Sequence, residues 1–223
     1  MGWQCIEVLN RMKRKSLYLI GAGDFGREME SWLELLPGFS NEWKIEGYLD
    51  KNPHALDGYP SDFSIVGDPL EFPYRPDDYV IMCLSGSVSK EMITEKLRDR
   101  VNFFTYIAPN SIISKFSKIG MGSIIAPNCI ISTNVLLGDF VTLNSGTQIG
   151  HDVVIDSYSS LMANVDLGGH VKIGKGVFIG TNATVIPGRS VTDKVTIGAG
   201  SIVLRNIKRP GTYFGNPAKF ISD

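Results

Sequence analysis

The sequence predicts two architectures in series: a small α/β unit with a parallel sheet, then a parallel β-helix of hexapeptide repeats. Three observations predict it. A glycine turn, Gly21-Ala22-Gly23-Asp24-Phe25-Gly26, stands between an apolar run and a helical pattern. Apolar runs then alternate with helical ones for most of the first hundred residues. From Ile107 a large aliphatic residue returns at every sixth position as far as Val203, seventeen positions without an exception.

In the first part, Leu17 to Ile20 reads as a strand, and Met29, Trp32, Leu33 and Leu36 recur at helical spacing after the glycine turn. Pro37-Gly38 is expected to end that helix. A second strand follows in "KIEGYLD", ending at Asp50, and a third of the fully buried parallel kind in "YVIMCL". "SGSVSKEMITEKLRDR" opens with small residues able to cap a helix, and "VNFFTYI" returns as a strand. Strands alternating with helices specify a small parallel sheet.

The glycines allow the backbone to approach a phosphate at a helix N-terminus, where free N–H groups and the helix dipole favour an anion. Asp50 stands where an acidic residue meets a ribose hydroxyl. The competing reading is that the glycines only let strand and helix pack closely. About half of a dinucleotide-binding unit is present, so a single nucleotide fits better than a bound NAD.

In the second part, the place four residues after each aliphatic is small or β-branched, with Arg189 as the exception. Each hexad supplies a short strand and a corner, and three hexads close a triangular coil. The first and fifth places of a hexad point inward. His151 and Asp152 take the third and fourth places after Ile149 and so stand at an outward corner. An imidazole there is a candidate proton acceptor, with Asp152 or another carboxylate nearby to support it. A solvated corner pair is the bland alternative. Beyond the repeat, "GTYFGNPAKFISD" is expected to leave the coil at Pro210-Gly211. The expected units are therefore 1–15 (leader), 16–106 (α/β), 107–207 (coil) and 208–223 (tail).

Composition narrows the classes. The chain has 223 residues and a net charge of −1, which implies neither a nucleic-acid footprint nor a membrane-attracting patch. No run is long and apolar enough to span a bilayer, and the first residues lack the uninterrupted apolar stretch of a signal peptide. Cys5, Cys83 and Cys129 show neither disulfide nor zinc spacing, and a reducing cytoplasm is the expected compartment.

The ordered set "LIGAGDFGREM", "YLDKN", "LNSGTQIGHD", "VKIGKGVFIGTNATVIPG" and "GNPAK" resembles the bacterial sugar acetyltransferases of the sialic acid O-acetyltransferase family, nearly throughout from Leu17. That family includes N-acetyltransferases acting on nucleotide-linked 4-amino-sugars, such as the bacillosamine-pathway enzyme. The resemblance implies a Rossmann-like first unit, a left-handed coil, and a homotrimer with active sites between neighbouring coils. It implies acetyl-CoA as co-substrate, a nucleotide sugar as acceptor, and no metal. By family position His151 is the catalytic base, with Asp152 beside it. Asn144 holds the acceptor sugar, and the backbone N–H of Gly169 faces the thioester carbonyl. Thr181 and Ala199 meet acetyl-CoA through the backbone. Gly21, Gly23, Asp24, Phe25, Asp50 and Lys51 contact the nucleotide sugar. The chain departs from the pattern at Ser160, where a relative has a histidine near the cofactor, and at "CLSGS", where relatives carry a Gly-Asn-rich turn that bears on whether Gly86 touches the nucleotide.

The expected function is acetyl transfer to the amine of a nucleotide-linked amino-sugar in bacterial surface-glycan synthesis, with O-acetylation of sialic acid or another sugar as the alternative. The base of the nucleotide, the sugar and the carbon modified are open. A zinc hydratase is a further reading: His151 and His170 lie nineteen residues apart, one coil plus one. A catalytic zinc wants three protein ligands, and the remaining histidine, His54, is in the other unit. A non-enzymatic scaffold and a nicotinamide oxidoreductase complete the alternatives.

Overall fold

The computed structural model describes residues 14–223. Cys5 and most of the expected leader lie outside them, and Lys15, assigned to that leader, already opens the first strand. The first region comprises β1 (Lys15–Ile20), α1 (Asp24–Leu33), α2 (Phe39–Glu42), β2 (Trp43–Leu49), β3 (Ile65–Gly67), β4 (Asp78–Met82), α3 (Ser87–Leu97) and β5 (Asn102–Phe103). Its five strands form one parallel sheet in the order β3-β2-β1-β4-β5. The order reverses between β1 and β4. The crevice beyond their carboxyl ends is therefore where a sheet of this type binds ligands.

β3 has no counterpart in the sequence reading, being three residues long and too short to show a period. Three local expectations need correction. The first helix ends at Leu33, before Pro37, and the left-handed Gly38 starts α2 instead. α3 begins after Gly86 with no side-chain cap, so the serines nearby leave its first N–H groups open. "VNFFTYI" is two strands: Phe104 N–H still bonds to Val80 of the sheet, whereas Tyr106 N–H bonds to Ser123 of the coil.

The coil runs over seventeen short strands, from β6 (Tyr106–Ile107) to β22 (Ile202–Val203). They stack on three faces, each strand pairing in parallel with the one eighteen residues on, as Ile149 of β13 (Gln148–Ile149) does with Leu167 of β16 (Asp166–Leu167). From Ile125 to Val203, first-place residues line the interior with exposures of 5 % or less, and Cys129, Val135, Val141 and Val153 fill the fifth places. Each such aliphatic contributes about 1.5–3 kcal/mol by leaving water. The inward rule fails at the first hexad, where Ile107 is 37 % exposed and Tyr106 is buried instead. No coil lies below to enclose Ile107, and Tyr106 belongs to the core of the α/β region.

Turning each corner requires a left-handed residue in the fourth place. Asn128, Asn134, Asp152, Asn164 and Asn182 have φ of 57–63°, a conformation that Asn and Asp tolerate best. Phe140 (φ 56°) and Tyr158 (φ 64°) occupy the same place at greater cost. Their compensation is contact: the rings stack at 5.5 Å, Phe103 meets Phe140 edge-on at 4.9 Å, and both join a core with Tyr18, Val80 and Leu97. These aromatics fasten the sheet to one corner of the coil.

Lys90 reinforces the attachment. It is 1 % exposed, and its Nζ donates to Phe140 O (3.0 Å), Thr142 Oγ1 (3.0 Å) and Ser160 Oγ (2.9 Å). Burial pulls its pKa down to about 7. Ser160 is thus itself buried beneath α3 and stands in no open groove.

The tail also differs from expectation. β23 (Gly211–Phe214) pairs in parallel with β21 (Val195–Ile197), continuing a coil face, and β24 (Lys219–Ser222) folds back on it. Among the described residues no helix is long and apolar enough to cross a membrane.

Candidate active site

The crevice at the sheet's switch point is a cleft of about 520 Å³. Gly21, Gly23, Asp24, Phe25 and Asp50 line it from the α/β side, and Asn144 lines it from the coil. Six residues expected at the acceptor site therefore converge. Lys51 is exposed and is not among the residues lining this cleft, because the chain turns away after Asp50. The sequence reading missed Glu28, Ser85, Ser89, Thr142 and Met162, and left Gly86 open; all line the cleft. For Ser85, Gly86 and Ser89 the available signal was their position after the carboxyl end of the neighbouring strand.

The glycine turn is shaped by close contacts. Gly21 has φ 100°, and a Cβ there would fall 2.8 Å from the Leu84 side chain. Gly26 would drive a Cβ to 2.1 Å from Gly21 O. Asp50 accepts the N–H of Ala22 at 2.9 Å through one oxygen and that of Asn52 at 2.8 Å through the other, so its carboxylate clamps the turn. Neither α1 nor α3 has a side-chain cap, and both helices begin at this cleft. Two helix N-termini aimed at one space suit an anion such as a phosphate. Cys83, also in the lining, is buried and its thiol is pushed far up by desolvation, which removes it as a nucleophile.

Asn144 Oδ1 accepts the Ser145 N–H at 2.6 Å, so its remaining offer to a ligand is its NH₂ group. One edge of the prism runs from there through Ser145, Ala163, Thr181 and Ala199, each spaced one coil from the last. Each carbonyl of Ser145, Ala163 and Thr181 accepts an N–H of the next coil, at 2.8–3.0 Å. Thr181 and Ala199 are both exposed, and among the described residues their N–H groups have no partner.

His151 stands on a different edge, seven residues and one coil face after Asn144. Its Nδ1 lies 2.8 Å from Asp152 Oδ2, and the side chain is 54 % exposed. Asn134 Nδ2 donates to the other oxygen of Asp152 at 3.2 Å. The hydrogen bonds from His151 and Asn134 hold the Asp152 carboxyl below its usual range. With Nδ1 held by the carboxylate, Nε2 is the nitrogen left to a substrate. That nitrogen rests on Gly169, one coil up, where a Cβ would come within 2.6 Å of it. Gly169 N–H has no partner among the described residues. His170 packs edge-on against His151, ring centroids 4.9 Å apart, with its Nε2 3.9 Å from Asp152 Oδ2.

The profile of the hexapeptide repeat of succinyl-transferase matches residues 170–205. The GDP-perosamine N-acetyltransferase of Escherichia coli O157:H7 is 28 % identical over 192 residues, covering 82 % of each chain. The acetyltransferase domain of PglB from Neisseria gonorrhoeae FA1090, solved with acetyl coenzyme A, superposes with a TM-score of 0.83 at 25 % identity, over 93 % of this chain and all of that one. The chain is similar to hexapeptide-repeat acetyltransferases in sequence and fold. PerB from Caulobacter crescentus, solved with CoA and GDP-perosamine, shares the fold, with a TM-score of 0.80 at 24 % identity over 92 % and 96 % of the two chains.

Proposed function

We propose that this protein transfers the acetyl group of acetyl-CoA to the amine of a nucleotide-linked amino-sugar. The observation that carries the reading is the His151–Asp152 pair, 2.8 Å apart on an exposed corner, with the ring lying on Gly169. The relation to acetyltransferases supports the chemistry, and the relative named for GDP-perosamine supports the acceptor class. The two uncapped helix ends at the cleft favour a nucleotide-bearing acceptor over free sialic acid, the acceptor of the O-transfer alternative.

The acceptor's phosphates lie against the glycine turn and the start of α3, and Asn144 holds the sugar. The amine attacks the thioester carbonyl, forming the N–C bond. His151 Nε2 takes the amine's proton, Asp152 stabilises the resulting imidazolium, and Gly169 N–H donates to the developing oxyanion. Collapse breaks the C–S bond, and the proton passes from His151 to the departing sulfur. The backbone N–H groups of Thr181 and Ala199 hold the pantetheine arm.

Within one chain the base and the Asn144–Ala199 edge are separated by a full coil face, so a single coil does not assemble the site. A left-handed coil in a homotrimer, placing one copy's His151 edge against the next copy's Thr181 edge, does. We take 16–106 as the acceptor-binding unit, 107–207 as the acyl-transfer coil and 208–223 as its closing tail. Cys83 and Cys129, both free and buried, fit a reducing cytoplasm. The test is thiol release from acetyl-CoA against a panel of nucleotide 4-amino-sugars and free sialic acid. Turnover with the nucleotide amino-sugars is expected, and turnover confined to sialic acid overturns the N-transfer reading.

A further inference from the structure

The corner that carries the base holds a second arrangement. Two imidazoles and one carboxylate, from His151, His170 and Asp152, bring one ligand atom each to within 4.8 Å of one another. In a tetrahedral zinc site the ligand atoms sit about 2.0–2.1 Å from the ion, hence ~3.4 Å apart. Here Asp152 Oδ2 is 2.8 Å from His151 Nδ1 and 3.9 Å from His170 Nε2. The spacings straddle the tetrahedral value, and small rotations of two half-exposed rings close the difference. The free oxygen of Asp152 is steadied by Asn134, the kind of outer partner that orients a ligating carboxylate. Counting histidines in the sequence leaves this corner one ligand short; Asp152 supplies the third. Imidazole with carboxylate selects zinc-class transition ions over magnesium or calcium.

We propose that His151, Asp152 and His170 form a zinc-class divalent metal site whose occupation silences the base. A metal on Nδ1 of His151 replaces the proton that Nδ1 now donates to Asp152, and the neutral ring then carries its one proton on Nε2. That nitrogen then has no lone pair with which to accept the proton of an incoming amine. Metal binding and proton abstraction thus exclude one another at one ring. The silencing step rests on the transfer reading above, and the metal binding does not.

The experiment is equilibrium dialysis of the chelator-treated full chain against ZnCl₂, with cobalt(II) absorption as a second probe. One zinc per chain and tetrahedral cobalt bands are expected. His170→Asn, which keeps a residue tolerant of the left-handed φ of 61° at that position, should weaken binding at least ~10-fold. Circular dichroism confirms that the variant is folded. In the zinc-loaded protein, nitrogen NMR of the imidazoles should show His151 Nε2 protonated. Zinc should inhibit the unmodified protein, and the same zinc should leave the His170→Asn variant at its own zinc-free rate. No zinc uptake, or equal uptake by the variant, overturns the site. Zinc binding with Nε2 unprotonated, or with turnover unaffected, overturns the silencing step. Failure of all turnover without zinc instead overturns the transfer reading and leaves the dialysis result standing.

Discussion

The coil and the α/β region solve the same problem by opposite means. In the coil a residue's fate follows from its place in a hexad: first and fifth places are buried, the fourth turns left-handed, and the third and fourth project at a corner. In the α/β region no such rule operates. Its core is assembled from aromatics of different elements, such as Trp43 edge-on to both Tyr79 and Phe104 at 4.8 Å. The difference separates two jobs. A repeating scaffold sets side chains at fixed heights along an edge, and an irregular unit shapes a cleft.

The sharpest division to test is between chemistry and scaffold. His151→Ala should lower kcat by ~10²–10⁴ while leaving melting temperature and assembly unchanged, because the ring is a half-exposed corner group. Steady-state kinetics beside thermal melts check this, and near-normal kcat would remove His151 as the base. The converse is Leu161→Ala, in the coil interior at 0 % exposure, which should cost about 2–5 kcal/mol in denaturant unfolding. A loss confined to the cleft would show that the coil is not one cooperative body.

Gly169→Ala joins the two. Its Cβ would press on Nε2 of His151 at 2.6 Å, so the ring must swing away. A displacement of that size costs roughly 10² in kcat. Measured kcat should fall with little change in unfolding midpoint, whereas Ala substitution at Gly188, whose Cβ direction is open but whose φ is 73°, should lower the unfolding midpoint and leave kcat near normal.

A pH effect lies where the regions meet. Lys90 has its pKa pulled down to about 7 by burial, whereas an unfolded lysine titrates near ~10.4. Between those values the unfolded chain binds more protons than the folded one, so Lys90 makes stability rise with pH through that window. Lys90→Met should flatten the rise. Unfolding curves at intervals from pH 7 to 10 for both proteins read the difference directly.

Legibility in the sequence follows the same division. The coil could be read because its period is written in side chains, from Ile113 to Val203, and the place of His151 at a corner followed from counting. Ile107 misled because counting cannot show where the stack begins. In the α/β region the glycine turn gave away one wall of the cleft. The opposite wall, with Ser85, Gly86 and Ser89, comes from a helix start whose open N–H groups carry no side-chain mark. Gly169, Thr181 and Ala199 are illegible for the same reason: each offers a backbone N–H that any corner residue would offer. Ser160 stands where a relative has a histidine near the cofactor, and only the fold shows it beneath the ammonium of Lys90.

The eighteen-residue stacking of the strands limits how a protein of this design can vary. Splicing in eighteen residues between His151 and Thr181 would add one storey, about 4.8 Å, and return every side chain to its own column. Splicing in six would rotate everything above by a third of a revolution and carry the upper rungs to the wrong side. The separation between imidazole and rungs therefore changes only in whole storeys, and donor arms of different reach are met in quantised steps.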